Sequence, residues 1–252
     1  MIAITYIGQA TTLIEINGQN ILTDPVFSNK VLFVKRHEEL KFNPADIPEL
    51  AAVVISHAHH DHLDINSFKY IKSTVPVFVP AGFGKFLSKF IRNPVIEMNE
   101  WASHNLPDGM KIIAAPAKHV GFRWSGLRFR KCCSYILAKE SSSVYFAGDT
   151  EFGEHFKEIG NLCSNPNPID VALLPIGGYS PKWLKRYHMN PIAAIDAFIC
   201  LRAKHMIPIH FGTFRFSTEK MSEPVEWLKR LADERNLSDR VHILNSGDRW
   251  EL

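Results

Sequence analysis

The sequence predicts a single α/β domain in which two β-sheets pack together and helices cover their outer faces. Three observations support this prediction. Short apolar runs that end at glycine, proline or a polar residue occur in both halves of the 252-residue chain. Helix-like stretches follow strands in each half. No linker or low-complexity tract divides the chain, so residues 1–252 are expected to form one domain.

The first half supplies the first predicted sheet. Alternating apolar residues predict strands over residues 2–7, 12–16 and 20–23, and Asn17-Gly18 is a hairpin turn signal. Residues 28–48 are irregular and basic-aromatic, which indicates a surface loop or lid. The other elements predicted in this half are strands at 51–55, 75–79, around 96 and at 111–114, and helices at 66–72 and near 83–90.

The second half repeats this order of elements. A helix is predicted over 191–201, because Asn190 is a good N-cap and Pro191 suits the first helical position. Residues 223–235 form an amphipathic pattern that predicts a second helix. Strands are predicted at 134–138, 143–147, 171–174, 206–209 and 241–244.

Composition excludes several classes of protein. The net charge of +3 is too small to indicate nucleic-acid binding by itself. The four cysteines lack the spacing of a zinc knuckle, so free thiols in a reducing compartment are expected. The N-terminus does not resemble a secretion signal, and no apolar run approaches ~18 residues. The sequence therefore predicts a cytoplasmic protein without a membrane span.

A cluster of polar residues follows the apolar run 50–55. His57, His59, Asp61 and His62 lie within six residues of one another on a predicted turn. Imidazole nitrogens and carboxylate oxygens are ligands of divalent metals such as zinc. A solvated polar turn is the simpler interpretation of a lone histidine, but four such groups beside a core are costly to leave unpaired. The turn therefore predicts a metal site.

Three further residues are candidates to complete this site. His119, Asp149 and His210 each follow an apolar strand as the first group able to bind a metal. Any one of them alone would more simply be a strand-end residue bonded to backbone. Together with the 57–62 turn, they complete two sites that share Asp149.

The motifs resemble the metallo-β-lactamase superfamily. The pattern His-x-His-x-Asp-His at 57–62, followed by the later histidines and aspartate, is similar to the metal-binding pattern of this superfamily. The resemblance is greatest to the branch of N-acyl-phosphatidylethanolamine-hydrolysing phospholipase D, and it runs nearly from end to end of the chain. The segments that carry it are 8–11, 22–28, 55–64, 146–150, 175–179, 181–183 and 209–214.

This resemblance implies a fold, a cofactor and roles for named residues. The fold would be a four-layer αββα sandwich, and the cofactor two divalent ions, expected to be zinc. The first ion would be held by His57, His59 and His119, the second by Asp61, His62 and His210, and Asp149 would bridge them. Asp24 is expected to orient a ligand, although it also suits a turn after a strand. Asp64 could orient a ligand imidazole or, more simply, cap the following helix, and His60 is expected to face away.

Two metal ions imply hydrolysis by a bridging hydroxide. We expect attack on a phosphodiester, with Asp61 and His188 as catalytic residues. His188 lies just before the helix at 191, and it could bind the phosphoryl group, protonate a leaving alkoxide or simply start the helix in water. The predicted function is a phospholipase D-type phosphodiesterase acting on N-acyl-phosphatidylethanolamine-like lipids. The main alternative is a small-molecule hydrolase similar to L-ascorbate-6-phosphate lactonase.

Two windows without acidic residues, 109–139 and 171–195, flank predicted ligands and favour an anionic substrate. Aromatic residues interleave with their cations, which suits a phosphate head group and an anionic membrane surface, although ordinary solvated loops have similar composition. The candidate substrate contacts are Arg123, Trp124, Tyr179 and Trp183. Peripheral contact with the inner membrane face is compatible with this pattern, as is an oligomer.

Two other functions are disfavoured. A ribonuclease would need an extended RNA-binding arm, which the sequence does not contain, so no nucleic-acid partner is expected. The complete ligand set argues against a protein that binds metal without catalysis. A wide apolar cleft beside the metals would favour a lipid substrate, and a closed polar cavity would favour a sugar phosphate.

Overall fold

A computed structural model describes residues 1–123, 127–163 and 168–252 of the chain. The α-helices are α1 (Gly84–Leu87), α2 (His155–Leu162), α3 (Pro191–Leu201) and α4 (Glu223–Glu234), and 3-10 helices cover Pro44–Asp46, Ile65–Tyr70 and Lys182–Arg186. The first eight strands are β1 (Ile2–Gly8), β2 (Thr11–Ile16), β3 (Gln19–Thr23), β4 (Lys30–Val31), β5 (Val34–Lys35), β6 (Ala52–Val54), β7 (Val77–Pro80) and β8 (Val95–Met98). The other strands are β9 (Ser103–Asn105), β10 (Lys111–Ala115), β11 (Gly121–Arg123), β12 (Leu127–Arg130), β13 (Ser134–Lys139), β14 (Ser142–Phe146), β15 (Val171–Pro175), β16 (His205–Ile209) and β17 (Arg249–Glu251).

Most strands belong to two large sheets. The first has the order β17-β1-β2-β3-β6-β7-β8, and its last four strands run parallel. The second has the order β16-β15-β14-β13-β10-β9, and β14, β15 and β16 run parallel. Because parallel strands end at the same edge, each sheet presents several carboxyl ends together, where ligands commonly bind in α/β proteins.

The two sheets face each other across an apolar layer. Ile2 and Ile4 of β1 point into this layer, as do Val171 and Leu173 of β15. Their neighbours Ala172 and Leu174 point to the opposite face of the second sheet. Successive strand residues alternate between faces, so both faces of these strands are apolar and buried. Burying each large aliphatic side chain contributes about 1.5–3 kcal/mol.

Helices cover the outer faces of both sheets. The second sheet packs against α2, α3 and α4 through residues such as Phe156, Phe198 and Leu228. The first sheet is covered by the 3-10 helix at 65–70 and by α1, through Phe68 and Leu87. The predicted αββα sandwich is therefore confirmed.

Several predicted elements match the structure and others differ. Helix α3 has the predicted bounds, and the Asn190 side chain caps it by accepting a hydrogen bond from the Ala193 amide. The predicted strand at 241–244 is wrong, because only Val241 pairs there, in an isolated bridge to Met206. The last strand is β17, an edge strand that pairs with β1. The 28–48 segment contains a small β4–β5 hairpin, and the predicted helix at 66–72 is a 3-10 helix.

No helix in the described parts of the chain combines the length and apolar character needed to cross a bilayer. All four cysteines are free thiols, and Cys133 is buried.

A histidine pair beneath β17 should make stability depend on pH. His205 Nδ1 lies 3.0 Å from His242 Nε2, and Trp250 packs against both rings. Burial lowers the pKa of both histidines, and Arg240 and Lys204 lower that of His205 further, whereas Asp170 opposes them. As the pH falls below ~6.5, the unfolded chain gains protons that the folded pair resists, so the free energy of unfolding should fall.

The measurement is urea unfolding at about pH 7.5 and 5.5, for the wild type and for His242→Gln. The stability lost on acidification should be smaller in the variant than in the wild type. The difference should be under about 1 kcal/mol, because both side chains are partly exposed. An equal loss in the two proteins would contradict this account.

Candidate metal centre

The predicted ligands meet where strands of both sheets end. His57, His59, Asp61 and His62 follow β6 of the first sheet, whereas His119, Asp149 and His210 follow β10, β14 and β16 of the second. Two backbone segments approach each other closely here. Gly148 has a φ of +60°, and a Cβ at this position would collide with the Ser56 side chain. Glycine therefore lets the Asp149 loop lie directly against the histidine turn.

The first group of side chains consists of His57, His59, His119 and Asp149. His59 Nδ1 lies 2.8 Å from His57 Nε2 and 3.2 Å from His119 Nε2. Asp149 Oδ2 lies 3.8 Å from His57 Nε2 and 4.0 Å from His119 Nε2. Four potential ligand atoms therefore surround one small space.

The second group consists of Asp61, His62 and His210. Asp61 Oδ2 lies 3.8 Å from His62 Nε2 and 3.5 Å from His210 Nε2. Asp149 Oδ2 is again close, at 3.2 Å from His62 Nε2 and 3.3 Å from His210 Nε2. One carboxylate oxygen thus stands between the two groups, in the position predicted for a bridging ligand.

These distances fit divalent metal binding. Ligand atoms ~2.0–2.2 Å from a tetrahedral zinc lie about 3.3 Å from one another, close to the spacings in both groups. Several of the atoms also lack a hydrogen bond within the described residues although they are buried: His62 Nε2, His210 Nε2 and Asp149 Oδ1. A buried polar atom without a partner is costly, and metal ions would supply the partners.

Neighbouring groups orient three of the imidazoles. His57 Nδ1 donates to Ser56 Oγ (2.9 Å), His62 Nδ1 donates to Asp24 Oδ2 (2.6 Å), and His119 Nδ1 donates to the Tyr187 carbonyl (2.9 Å). Asp24 also accepts hydrogen bonds from the Ser56 amide and hydroxyl. A histidine with a bonded Nδ1–H keeps a lone pair on Nε2, so all three present that atom to the centre.

The structure places Asp24 where the sequence predicted it, in contact with a candidate ligand. Sequence reasoning missed Ser56 and the Tyr187 carbonyl. The position of Ser56, directly between a buried strand and the first histidine, was a signal that could have identified it. The Tyr187 carbonyl left no signal, because a backbone group carries no residue preference.

Charges within the cluster hold its carboxylates ionised. Burial would raise the pKa of Asp149, but His210 and His62 lower it well below its usual value. Burial would also raise the pKa of Asp61, but His62 and His210 outweigh burial and lower this pKa below its usual value. Burial lowers the pKa of His59 to about 4, whereas the Asp149 and Asp61 carboxylates outweigh burial and raise the pKa of His62 and that of His210. Metal ions bind ionised carboxylates and neutral imidazoles, so a metal ion would displace the protons of His62 and His210.

His188 lies at the edge of the same cluster. Its Nδ1 is 3.6 Å from Asp149 Oδ2, and its ring stacks on that of His210 with 5.4 Å between centroids. Gly178 faces it, and a Cβ there would lie 3.0 Å from His188 Nδ1. The geometry brings His188 within reach of a substrate at the centre, and its catalytic role stays a prediction.

A cavity of about 270 Å³ opens over this cluster. Its floor includes Asp61, Asp149 and His188, and four apolar residues line its walls: Val31, Leu32, Leu184 and Phe216. His60 also lines the cavity, so the expectation that it faces away was wrong. The turn at 57–62 is not a regular strand, and simple alternation therefore misplaced this side chain.

The remaining residues predicted to contact a metal ligand or the substrate have different positions in the structure. Asp64 accepts hydrogen bonds from Ser28, Ser67 and the Asn66 amide, so it caps the 3-10 helix at 65–70 and, among the described residues, bonds no ligand imidazole. Tyr179 does not reach the cavity, because it is buried with its hydroxyl donating to Glu223 at 2.8 Å. Trp183 is 64% exposed and adjoins Leu184 at the cavity rim. The Arg123 side chain and Trp124 lie outside the described residues.

Comparison with known proteins agrees with this fold. The family model described as the beta-lactamase superfamily domain matches residues 19–211. The chain belongs to the metallo-β-lactamase superfamily. It is therefore a metal-dependent hydrolase by family and fold, and this family membership implies the use of a divalent metal.

Several known proteins are similar to this superfamily member over nearly its whole length. It is 34% identical to N-acyl-phosphatidylethanolamine-hydrolyzing phospholipase D 1 of Caenorhabditis elegans, over 98% of this chain and 75% of that protein. It is 30% identical to a metal-dependent hydrolase of Methanopyrus kandleri, over 98% of this chain and 99% of that protein. A metallo hydrolase of Ignicoccus hospitalis has the same fold, with a TM-score of 0.75, 24% identity, and coverage of 100% of this chain and 99% of that one.

Proposed function

We propose that this metallo-β-lactamase-fold protein is a binuclear zinc phosphodiesterase of phospholipase D type, acting on N-acyl-phosphatidylethanolamine-like lipids. The observation that carries the proposal is the cavity, which combines a floor of histidine and aspartate side chains with apolar walls. A phosphate group fits the floor, and the hydrocarbon beside it fits the walls. The named activity of the Caenorhabditis elegans relative supports the same substrate class.

The proposed ligands divide between two metal ions. His57, His59 and His119 would hold one ion, Asp61, His62 and His210 would hold the other, and Asp149 would contact both. When bound, the ions would neutralise charge on the phosphoryl oxygens and make an attacking water acidic at neutral pH. The chain itself fixes the positions of these groups, since Asp24, Ser56 and the Tyr187 carbonyl hold three imidazoles in one orientation.

The overall reaction would be hydrolysis of the bond between phosphorus and the ethanolamine oxygen. A water attacks phosphorus, that bond breaks, and the leaving oxygen takes up a proton. The products are an N-acylethanolamine and phosphatidic acid. His188 is the chain's own candidate for contact with the reacting group, since its buried Nδ1 lacks a hydrogen bond within the described residues and its ring lines the cavity. Burial lowers the pKa of His188 to about 3, so the neutral imidazole can hydrogen-bond a phosphoryl oxygen or the leaving oxygen.

The rim of the cavity supports contact with a membrane surface. The cavity is small for a lipid with several acyl chains, so most of each chain would have to stay outside it. Four large apolar side chains are exposed on the segments that line the cavity, namely Leu32, Phe33, Trp183 and Phe216. Exposed cations lie within two residues of them in the chain, at Lys30, Lys182 and Arg215. Aromatic and basic residues together favour the interface of an anionic bilayer.

The main alternative is a small-molecule hydrolase, because the Methanopyrus kandleri relative matches this chain over nearly its whole length and is named only as a metal-dependent hydrolase. A lactone or sugar phosphate would need only the floor of the cavity. The two functions differ in whether the apolar walls contact the substrate.

The deciding experiment supplies three substrates to the purified, zinc-loaded protein: bis-p-nitrophenyl phosphate, vesicles containing N-acyl-phosphatidylethanolamine, and a panel of lactones. We expect release of p-nitrophenol and of N-acylethanolamine. Substitution of Phe216 by serine should reduce turnover of the vesicle substrate more than that of the water-soluble diester, because only the lipid uses the apolar wall. Opening of lactones without cleavage of either diester would refute the proposal.

A further inference from the structure

Gln9 joins the two sides of the candidate metal centre. It lies in the turn between β1 and β2, far in sequence from every predicted ligand, and it is 2% exposed. Its φ is +57°, a left-handed conformation that non-glycine residues rarely adopt. Such a conformation costs of order 1 kcal/mol or more and persists only where surrounding contacts enforce it.

The main chain of Gln9 fixes the loop that carries His210. The Gln9 carbonyl accepts a hydrogen bond of 2.7 Å from the His210 amide, and the Gln9 amide donates to Thr213 Oγ1 at 2.7 Å. His210 itself has a φ of +58°. Two residues from different sheets, both in the left-handed conformation, are therefore bonded to each other beside the site.

The side chain of Gln9 holds a second ligand candidate. Its Nε2 donates a hydrogen bond of 2.8 Å to Asp61 Oδ2, the oxygen that also faces His62 and His210. A carboxylate oxygen has two lone pairs, so it can accept this bond and bind a metal at the same time. An amide donor is neutral, and it orients the carboxylate without adding a positive charge that would compete with a cation.

We propose that Gln9 is a positioning residue for the second metal ion, fixing Asp61 through its side chain and His210 through its main chain. This inference rests on the proposed pair of metal sites. It predicts a selective effect, because within the described parts of the chain Gln9 makes no hydrogen bond to His57, His59 or His119, the ligands proposed for the first ion. Loss of a hydrogen bond to a ligating carboxylate typically weakens metal binding by about 10–100-fold.

The test is a zinc titration of the metal-free protein in competition with a chromophoric chelator. Gln9→Met keeps the length of the side chain and the main-chain contacts but removes the donor. Gln9→Asn keeps an amide that is one methylene too short to reach Asp61, and asparagine tolerates the left-handed conformation well. Gln19→Met, the same substitution on β3, is the matched control.

We expect wild type and Gln19→Met to bind two zinc ions in the same two steps. Both Gln9 variants should bind one of the two ions about 10–100-fold less tightly, with the other step unchanged. Two unchanged steps in the Gln9 variants would overturn this inference alone. Equal weakening of both steps would also overturn it, since that would indicate a general structural role. A wild type that binds fewer than two ions would overturn the proposed binuclear site and the inference together.

Discussion

Replacing Asp149 with alanine should reduce kcat/KM by about 10³-fold or more, which corresponds to roughly 4 kcal/mol of lost transition-state stabilisation. The reason is its position, since Asp149 Oδ2 lies between 3.2 and 4.0 Å from ring nitrogens of His57, His62, His119 and His210. Without the Asp149 carboxylate, Asp61 would be the one carboxylate left among the ligands proposed for the two metal ions, and the other ligands would all be imidazoles. The metal content per chain should fall in the same variant.

The measurement combines steady-state kinetics on bis-p-nitrophenyl phosphate with elemental analysis of the purified protein. Asp170→Asn is a suitable control, because Asp170 is also buried but accepts hydrogen bonds from Ser143 and Lys204, away from the cluster. It should lose some stability while keeping its metal and its turnover. Asp149→Ala with wild-type kinetics in a folded chain would show that this carboxylate does not act at the centre.

Replacing Phe198 with alanine should lower the free energy of unfolding by about 3–5 kcal/mol. Phe198 is fully buried on α3, where it packs between the second sheet and α4. The Arg240 guanidinium lies 4.8 Å from the centroid of its ring, a cation–π contact that the substitution also removes. The cavity that remains is the main source of the cost, because neighbouring side chains relax only partly into it.

The measurement is urea unfolding followed by circular dichroism, with Ile199→Ala as the matched control on the next residue of the same helix. Ile199 is 52% exposed, so its truncation should change stability by no more than about 0.5 kcal/mol. Equal stability changes in the two variants would contradict the packing of α3 described here.

Local patterns explain which elements could be predicted from the sequence. Residues 191–201 carry an N-cap, a proline at the first position and an apolar face, and the helix has these bounds. Strand β17 consists of Arg249, Trp250 and Glu251, which form no apolar pattern, and its pairing with β1 is a long-range contact. Helix α2 contains Gly160, which disfavours a helix locally. The structure needs glycine there, because a Cβ would collide with the Cys200 carbonyl.

In the site, too, local sequence patterns could be predicted, whereas contacts that depend on the whole fold could not. The seven candidate ligands are recognisable because each follows an apolar strand, and a strand end fixes where a residue lies in the fold. The direction of a side chain within a loop depends on backbone angles that the sequence does not specify. His60 therefore faces the cavity, and Tyr179 packs against α4, contrary to expectation. Gln9 lies in segment 8–11, which carries part of the resemblance, but its role could not be predicted because its partners Asp61 and His210 are distant in sequence.

The most direct test of the metal centre is anomalous diffraction from crystals of the zinc-loaded protein. We expect two peaks per chain about 3.5–4 Å apart, one bonded to His57, His59 and His119, the other to Asp61, His62 and His210. Asp149 should lie within bonding distance of both peaks. A single peak, or zinc bound only outside this cluster, would contradict the proposed centre.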